Sequence, residues 1–167
     1  MSKEMIQYNR PAAVAYAHRW AYSRNPAYYN YDKLGGDCTN FVSQCVFAGA
    51  RVMNYTHTYG WYYLSANNKS PSWSGVEFLY DFLVRGRGGP GPAARETPVS
   101  GMAPGDVIQL LFDGKVFQHS LLVVETGPAP AEDTILVATH SDDQDNKPLS
   151  TYQYQRARFL HIQYVNG

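Results

Sequence analysis

The stretch at residues 35–50, GGDCTNFVSQCVFAGA, decides how this chain is read. Counted from Cys38, residues Phe41, Val42, Cys45 and Val46 fall at i+3, i+4, i+7 and i+8, one face of an α-helix that must point inward. Asp37 is a residue type favoured at helix N-caps, and Gly35-Gly36 allows a sharp turn into the helix. Gly49 suits its C-terminal stop. The spacing therefore predicts a helix opening at Cys38, with the thiol on its buried side. Unpaired N–H groups and partial positive charge at such an end stabilise a thiolate. A cysteine there is either an inert buried thiol, which is common, or an activated nucleophile. The glycine pair and the aspartate before it favour the nucleophile.

Cys45, the second of two cysteines, stands seven residues further on. That separation is about 10 Å along a helix axis, beyond the roughly 7 Å a disulfide tolerates, so both thiols are expected to be free. A nucleophilic thiol needs a base, and the β-patterned C-terminal third offers one. Asp106–Phe112 and Val116–Glu125 flank Asp113-Gly114, a strong hairpin turn signal, and Thr134–His140 and Ala157–Tyr164 read as further strands. If Glu125 pairs with Thr134, then His119 pairs with His140 on one face, with Cβ atoms roughly 4.5–5.5 Å apart. A slip of one residue would separate them. Such a pair can be a base and its orienter, a structural pair, or two ligands of a zinc site. No H-E-x-x-H helix and no evident third ligand accompany them, so neither metal nor cofactor is expected. The following SDDQDNKP lacks the central glycine and closing glutamate of an EF-hand and reads as a polar loop. Within it, Asn146 or Asp142 could orient His119 in place of His140.

Upstream, Ala13, Val14, Ala17, Trp20 and Ala21 predict a helix over residues 11–24, ended by Asn25-Pro26. Another helix is expected over Val76–Val84, and RGRGGPGPAARETP at 85–98 reads as a Gly/Pro-rich surface loop. Helices first and an antiparallel sheet afterwards define an α+β class, and 167 residues suit one domain, 1–167. The chain holds 14 tyrosines and 3 tryptophans, residues that serve sugar- or peptide-binding clefts as well as cores. Trp61, Tyr62, Tyr63, Trp73 and His57 are candidates to line a substrate groove, with core packing as the other reading. Tyr28, Tyr29 and above all Tyr31 are candidate oxyanion donors beside Cys38 and Asp37, whereas His18 and His161 look like surface or packing residues.

Fourteen basic residues balance fourteen acidic ones with no Lys/Arg run, which excludes a nucleic-acid binder. No stretch approaches the roughly 20 apolar residues of a membrane span. The N-terminal segment lacks the apolar core of a Sec signal. The expectation is a monomer that is cytoplasmic, including a spore compartment, or else leaderless or processed outside the cell.

Several of these segments resemble known families. GGDCTNFVSQCVFAGA is similar to the nucleophile helix of papain-like cell-wall hydrolases, the NlpC-type peptidases and CHAP amidases, with its D-C-[ST]-x-[FL]-V pattern. APGDVIQL resembles their P-G-D strand start, FQHSLLVVE their histidine strand, and ILVATHSDD the strand of their third polar residue. YNRPAAVAYAHRWAYSRNPAYYNYDKLGGDCTNFVSQC, GWYYLSANNKSPSWSGVEFLYDFL and HSDDQDNKPLSTYQY resemble the bacterial putative amidase domain family. The resemblance implies a papain-like fold, Cys38 as nucleophile and His119 as general base. His140 would be the third member by the NlpC pattern, and Asn146 by the papain pattern. Residues 51–104 would be an insertion that reshapes the cleft. The implied function is an amidase or peptidase that cuts a peptide, amide or bacterial peptidoglycan bond through a Cys38 thioester. A non-catalytic glycan- or peptide-binding module and an acyltransferase with the same Cys/His pair are the competing readings.

Overall fold

The computed structural model describes residues 4–86 and 88–167. The chain opens with β1 (Met5–Ile6) and α1 (Arg10–Trp20), whose start is capped by the Asn9 side chain accepting from Ala12 N–H at 3.0 Å. The helix is shorter than the expected 11–24, because the carbonyl of Trp20 accepts from the His140 ring at 2.7 Å and the chain turns there. Next comes α2 (Cys38–Ala50), which opens where the sequence predicts. Asp37 holds the N-cap position, yet its side chain makes no capping bond and is spent on other partners. Nor does Gly49 stop the helix. Left-handed Arg51 does so (φ 61°), while a Cβ at Gly49 would lie 2.6 Å from the Asn9 carbonyl oxygen and the Tyr8 ring.

The aromatic segment that follows builds a small hairpin, β2 (Tyr63–Ser65) with β3 (Asn68–Lys69), then the short α3 (Pro71–Ser74) and α4 (Val76–Arg85). The expected surface loop at 85–98 is in part a strand, β4 (Gly91–Thr97). Its glycines and prolines hide it from pattern reading, but a long partner supplies an edge for it. The remaining strands are β5 (Val107–Leu111), β6 (His119–Glu125), β7 (Leu136–Thr139), β8 (Gln144–Pro148) and β9 (Arg156–Asn166). They form one antiparallel sheet in the order β1-β9-β5-β6-β7-β8, with β4 on the other edge of β9. The chain is thus mixed α and β around a seven-stranded antiparallel sheet. Among the described residues, no helix is long and apolar enough to cross a membrane.

Strand alternation gives the sheet two different faces. Leu122, Val124, Ala138 and Leu160 pack in one core with Phe41, Val42, Cys45 and Val46 of α2. Leu121, Val123, Val137, Ile108 and Leu110 form a second core on the opposite face. All of α2 except Phe47 and Ala48 is buried, polar residues included, and a buried polar group must be hydrogen-bonded. Thr39 Oγ1 lies 2.9 Å from Ser120 Oγ, Asn40 accepts from the Trp73 indole at 3.0 Å, Ser43 from the Trp61 indole at 3.1 Å, and Gln44 from the Tyr16 hydroxyl. Trp61 and Trp73 are therefore lids on α2, fully buried with rings 4.8 Å apart, and not groove-lining residues.

At the far end of the sheet, fully buried Asp106 of the P-G-D segment accepts from Arg10 at 2.7 Å, His161 at 2.7 Å and the N–H groups of Ala103 and Ile162 at 2.9 Å. Asp106→Ala would leave these donors without their anion, and removing one partner of a buried pair costs about 3–5 kcal/mol. Urea denaturation should show that loss; a change within about 0.5 kcal/mol, the range of ordinary surface substitutions, would deny Asp106 this role.

Candidate active site

Cys38 is the first residue of α2 and His119 the first of β6, each 8% exposed. The sulfur approaches from the α2 side of the sheet. By alternation with Leu121 and Val123, His119 belongs to the opposite face, where its ring sits between Phe112 at 5.9 Å and Tyr152 at 6.3 Å. What Cys38 meets at the start of β6 is the backbone next to His119. There the Cys38 sulfur lies against the N–H of Ser120, the residue next to His119, and 3.7 Å from Thr39 Oγ1. No hydrogen bond joins Cys38 to His119 among the described residues.

The expected His119–His140 pairing does not occur. The observed register places Leu122 opposite Ala138 and Val123 opposite Val137, one residue away from the expected alignment. At Glu125, which pairs with Leu136 and not Thr134, the difference is two residues, and a bulge between Val123 and Glu125 reduces it to one. The register puts His140 on the α2 face, where its ring packs 4.1 Å from that of Phe41. Its Nδ1 lies 2.6 Å from Asp37 Oδ2 and its Nε2 lies 2.7 Å from the Trp20 carbonyl oxygen. The side chain that does reach His119 is Thr139, with Oγ1 3.4 Å from Nε2. Thr139 has no motif signal, and only the true register would have singled it out.

The other candidates divide. Asp37 is buried beside Cys38, where its carboxylate accepts from the Tyr31 N–H at 2.8 Å and from Asn40 at 2.9 Å. The Tyr31 hydroxyl donates to the Ala66 carbonyl at 3.0 Å, so it is engaged away from any oxyanion. Asp142 is exposed, and its charge acts on His119. Asn146 is exposed at φ 54° on β8. Tyr62 is buried with its ring 5.8 Å from that of Tyr55, and His57 is exposed with its Nδ1 bonded to Thr58 at 3.0 Å. Exposed Phe112 and half-buried Tyr152 are the aromatics that flank His119 instead.

Burial sets the charge state of the pair. It pushes the Cys38 thiol up, against the opposing pull of the Ser120 and Thr39 N–H groups and the Thr39 hydroxyl. The same desolvation lowers His119 to about 4, with Asp142 acting the other way. The helix N-terminus thus does not win over burial, and the resting pair at neutral pH is thiol and neutral imidazole. A thiol and a neutral imidazole brought within reach of each other can still move a proton from sulfur to nitrogen when a bound electrophile draws on the sulfur. No cluster of three or more His, Cys, Asp or Glu side chains that could hold a metal occurs among the described residues.

The chain belongs to the family described as a putative amidase domain, which matches residues 7–163. It is 31% identical over 165 residues to the uncharacterized protein YhbB of Bacillus subtilis (strain 168), covering 97% of this chain and 46% of that protein. The chain therefore spans less than half of this relative. No solved structure matches. Family membership points to amidase-type hydrolysis.

The depressed histidine has a measurable consequence for folding. In the unfolded chain a histidine titrates near 6.5, so between that pH and about 4 only the unfolded state takes up the proton. The contribution of neutral His119 is complete above about pH 6.5 and is lost as pH falls to about 4, about 3 kcal/mol in all. Urea denaturation across this window should show the decline, and His119→Gln should remove most of it. An equally steep decline in the variant would place the cause elsewhere.

Proposed function

We propose that the chain is a cysteine-dependent amide hydrolase with a papain-like arrangement, acting on peptide bonds of bacterial cell-wall peptidoglycan. The observation that carries this reading is the position of the Cys38 sulfur at a helix N-terminus and against the N–H of Ser120, the residue next to His119. Family membership supplies the bond type. Peptidoglycan is favoured by the likeness of the D-C-T-N-F-V segment to the nucleophile helix of cell-wall hydrolases.

His119 is the base. The single hydroxyl proton of Thr139 serves the Ser120 carbonyl at 2.9 Å or that of His140 at 3.0 Å, which leaves a lone pair towards His119 Nε2. Nε2 then carries the ring proton and Nδ1 is free to accept the proton of Cys38. Thr139 takes the orienting place in the triad, and the charge of Asp142 adds to the basicity of the ring. The sulfur attacks the amide carbonyl, and the Cys38 N–H holds the oxyanion at the positive end of α2. His119 returns the proton to the departing amine, leaving a thioester. Water activated by His119 then releases the acid and regenerates the thiol.

Digestion of muropeptides, read by mass spectrometry, names the bond through its new termini. Cys38→Ala and His119→Ala should each lower kcat/KM by at least about a thousandfold, as loss of a nucleophile or base does. Thr139→Val should cost about tenfold and exceed the effect of Asn146→Ala. Undiminished cleavage by Cys38→Ala would end this reading, and transfer to an added amine in place of water would make the chain an acyltransferase.

A further inference from the structure

Both ring nitrogens of His140 face oxygen atoms that only accept. Nδ1 lies 2.6 Å from the Asp37 carboxylate and Nε2 lies 2.7 Å from the Trp20 carbonyl. A neutral imidazole carries one N–H and can satisfy one of these contacts; an imidazolium satisfies both. Asp37 is ionised. Burial pushes its carboxyl up, but bonds from His140, Asn40 and the Tyr31 N–H outweigh that and hold it below the usual carboxylate range. The remaining charge near the pair is Arg24, with Nε 3.6 Å from Asp37 Oδ2 and its outer nitrogens held by Asp32 and Asp143. Asp37 and His140 are each only 1% exposed, so neither charge is shared with water.

We propose that His140 is a doubly protonated positioning residue, whose buried imidazolium clamps Asp37 to the end of α1 and so fixes the peptide of Cys38. The next residue completes the clamp, for Ser141 Oγ accepts the Asp37 N–H at 2.7 Å. The residue before the nucleophile is thereby gripped at side chain and backbone by two successive residues after β7. Gly36 allows this approach, since a Cβ there would lie 3.2 Å from Ser141 Oγ and the residue has φ +104°. The clamp touches neither sulfur nor substrate. It acts by holding the Cys38 N–H and Sγ in place, and only this effect on catalysis rests on the reading of the chain as a hydrolase.

The test is nitrogen-15 NMR of the full chain with labelled histidine, using His140→Gln to assign the signal. Near neutral pH, His140 should show two protonated ring nitrogens, with slow exchange of both protons, while His119 shows the neutral form. A neutral ring at His140 overturns the proposal. In Asp37→Asn the amide can donate to Nδ1, so the ring should become neutral with its proton on Nε2; an imidazolium persisting there would also overturn it. Because geometry is kept, Asp37→Asn should lose at most about tenfold in kcat, whereas Asp37→Leu should lose about a hundredfold with little change in KM, as a misplaced nucleophile does. Equal losses in the two variants would refute the positioning role. If Cys38→Ala still cleaves substrate, the hydrolase reading fails while the NMR result stands independently.

Discussion

The burial of α2 on nearly every side is the constraint on which the rest depends. A helix placed between a sheet, another helix and a lid of aromatics could be seated in several ways if its contacts were only apolar. Its polar residues remove that freedom. Thr39 answers to β6, Asn40 to the Trp73 indole and Asp37, Ser43 to the Trp61 indole, and Gln44 to Tyr16 of α1. Each is a directional bond to a different element, and rotating or sliding the helix would leave several of them buried without partners. The position of Cys38 at the sheet end follows from this seating.

The same burial governs the chemistry. Taking the thiol and the imidazole out of water favours the uncharged form of each, and this outweighs the helix N-terminus at rest. A standing thiolate–imidazolium pair would carry two charges in that setting. In the proposed reaction, charge separation would wait for the moment when a carbonyl reaches the sulfur and the N–H groups of α2 can stabilise the oxyanion. Burial keeps His119 unprotonated throughout the neutral range.

The sequence was most legible where local periodicity and burial agree. The seven-residue spacing of apolar positions in α2 and the Asp113-Gly114 hairpin signal located the helix and the pair β5–β6 directly. The β6–β7 register was not legible, because the connecting loop sets Glu125 opposite Leu136, a bulge between Val123 and Glu125 then shifts the pairing by one, and alternation alone reveals neither. That single offset exchanges His140 for Thr139 beside His119. Trp61 and Trp73 were legible only as aromatics; their place over α2 depends on Ser43 and Asn40, whose side chains look in the sequence like ordinary helix polar residues. β4 was hidden for the opposite reason, since its Gly/Pro content signals a loop and only the long edge of β9 makes it a strand.

Asp37 and Asp106 show why a motif aspartate is easily misjudged. Each follows a glycine, and each looks like a turn or cap residue. Both are instead buried anions that collect donors from distant parts of the chain, His140, Asn40 and the Tyr31 N–H in one case, Arg10, His161 and two backbone N–H groups in the other. A cap would secure one turn of one helix. An anion with donors from several elements ties those elements to one another, and its cost of desolvation is offset only when all the donors are in place. In the first case those elements are the exit of β7, the loop at Tyr31 and, through His140, the end of α1. The residue that follows is the cysteine, so the precision of its placement comes from the whole fold and not from the helix it opens.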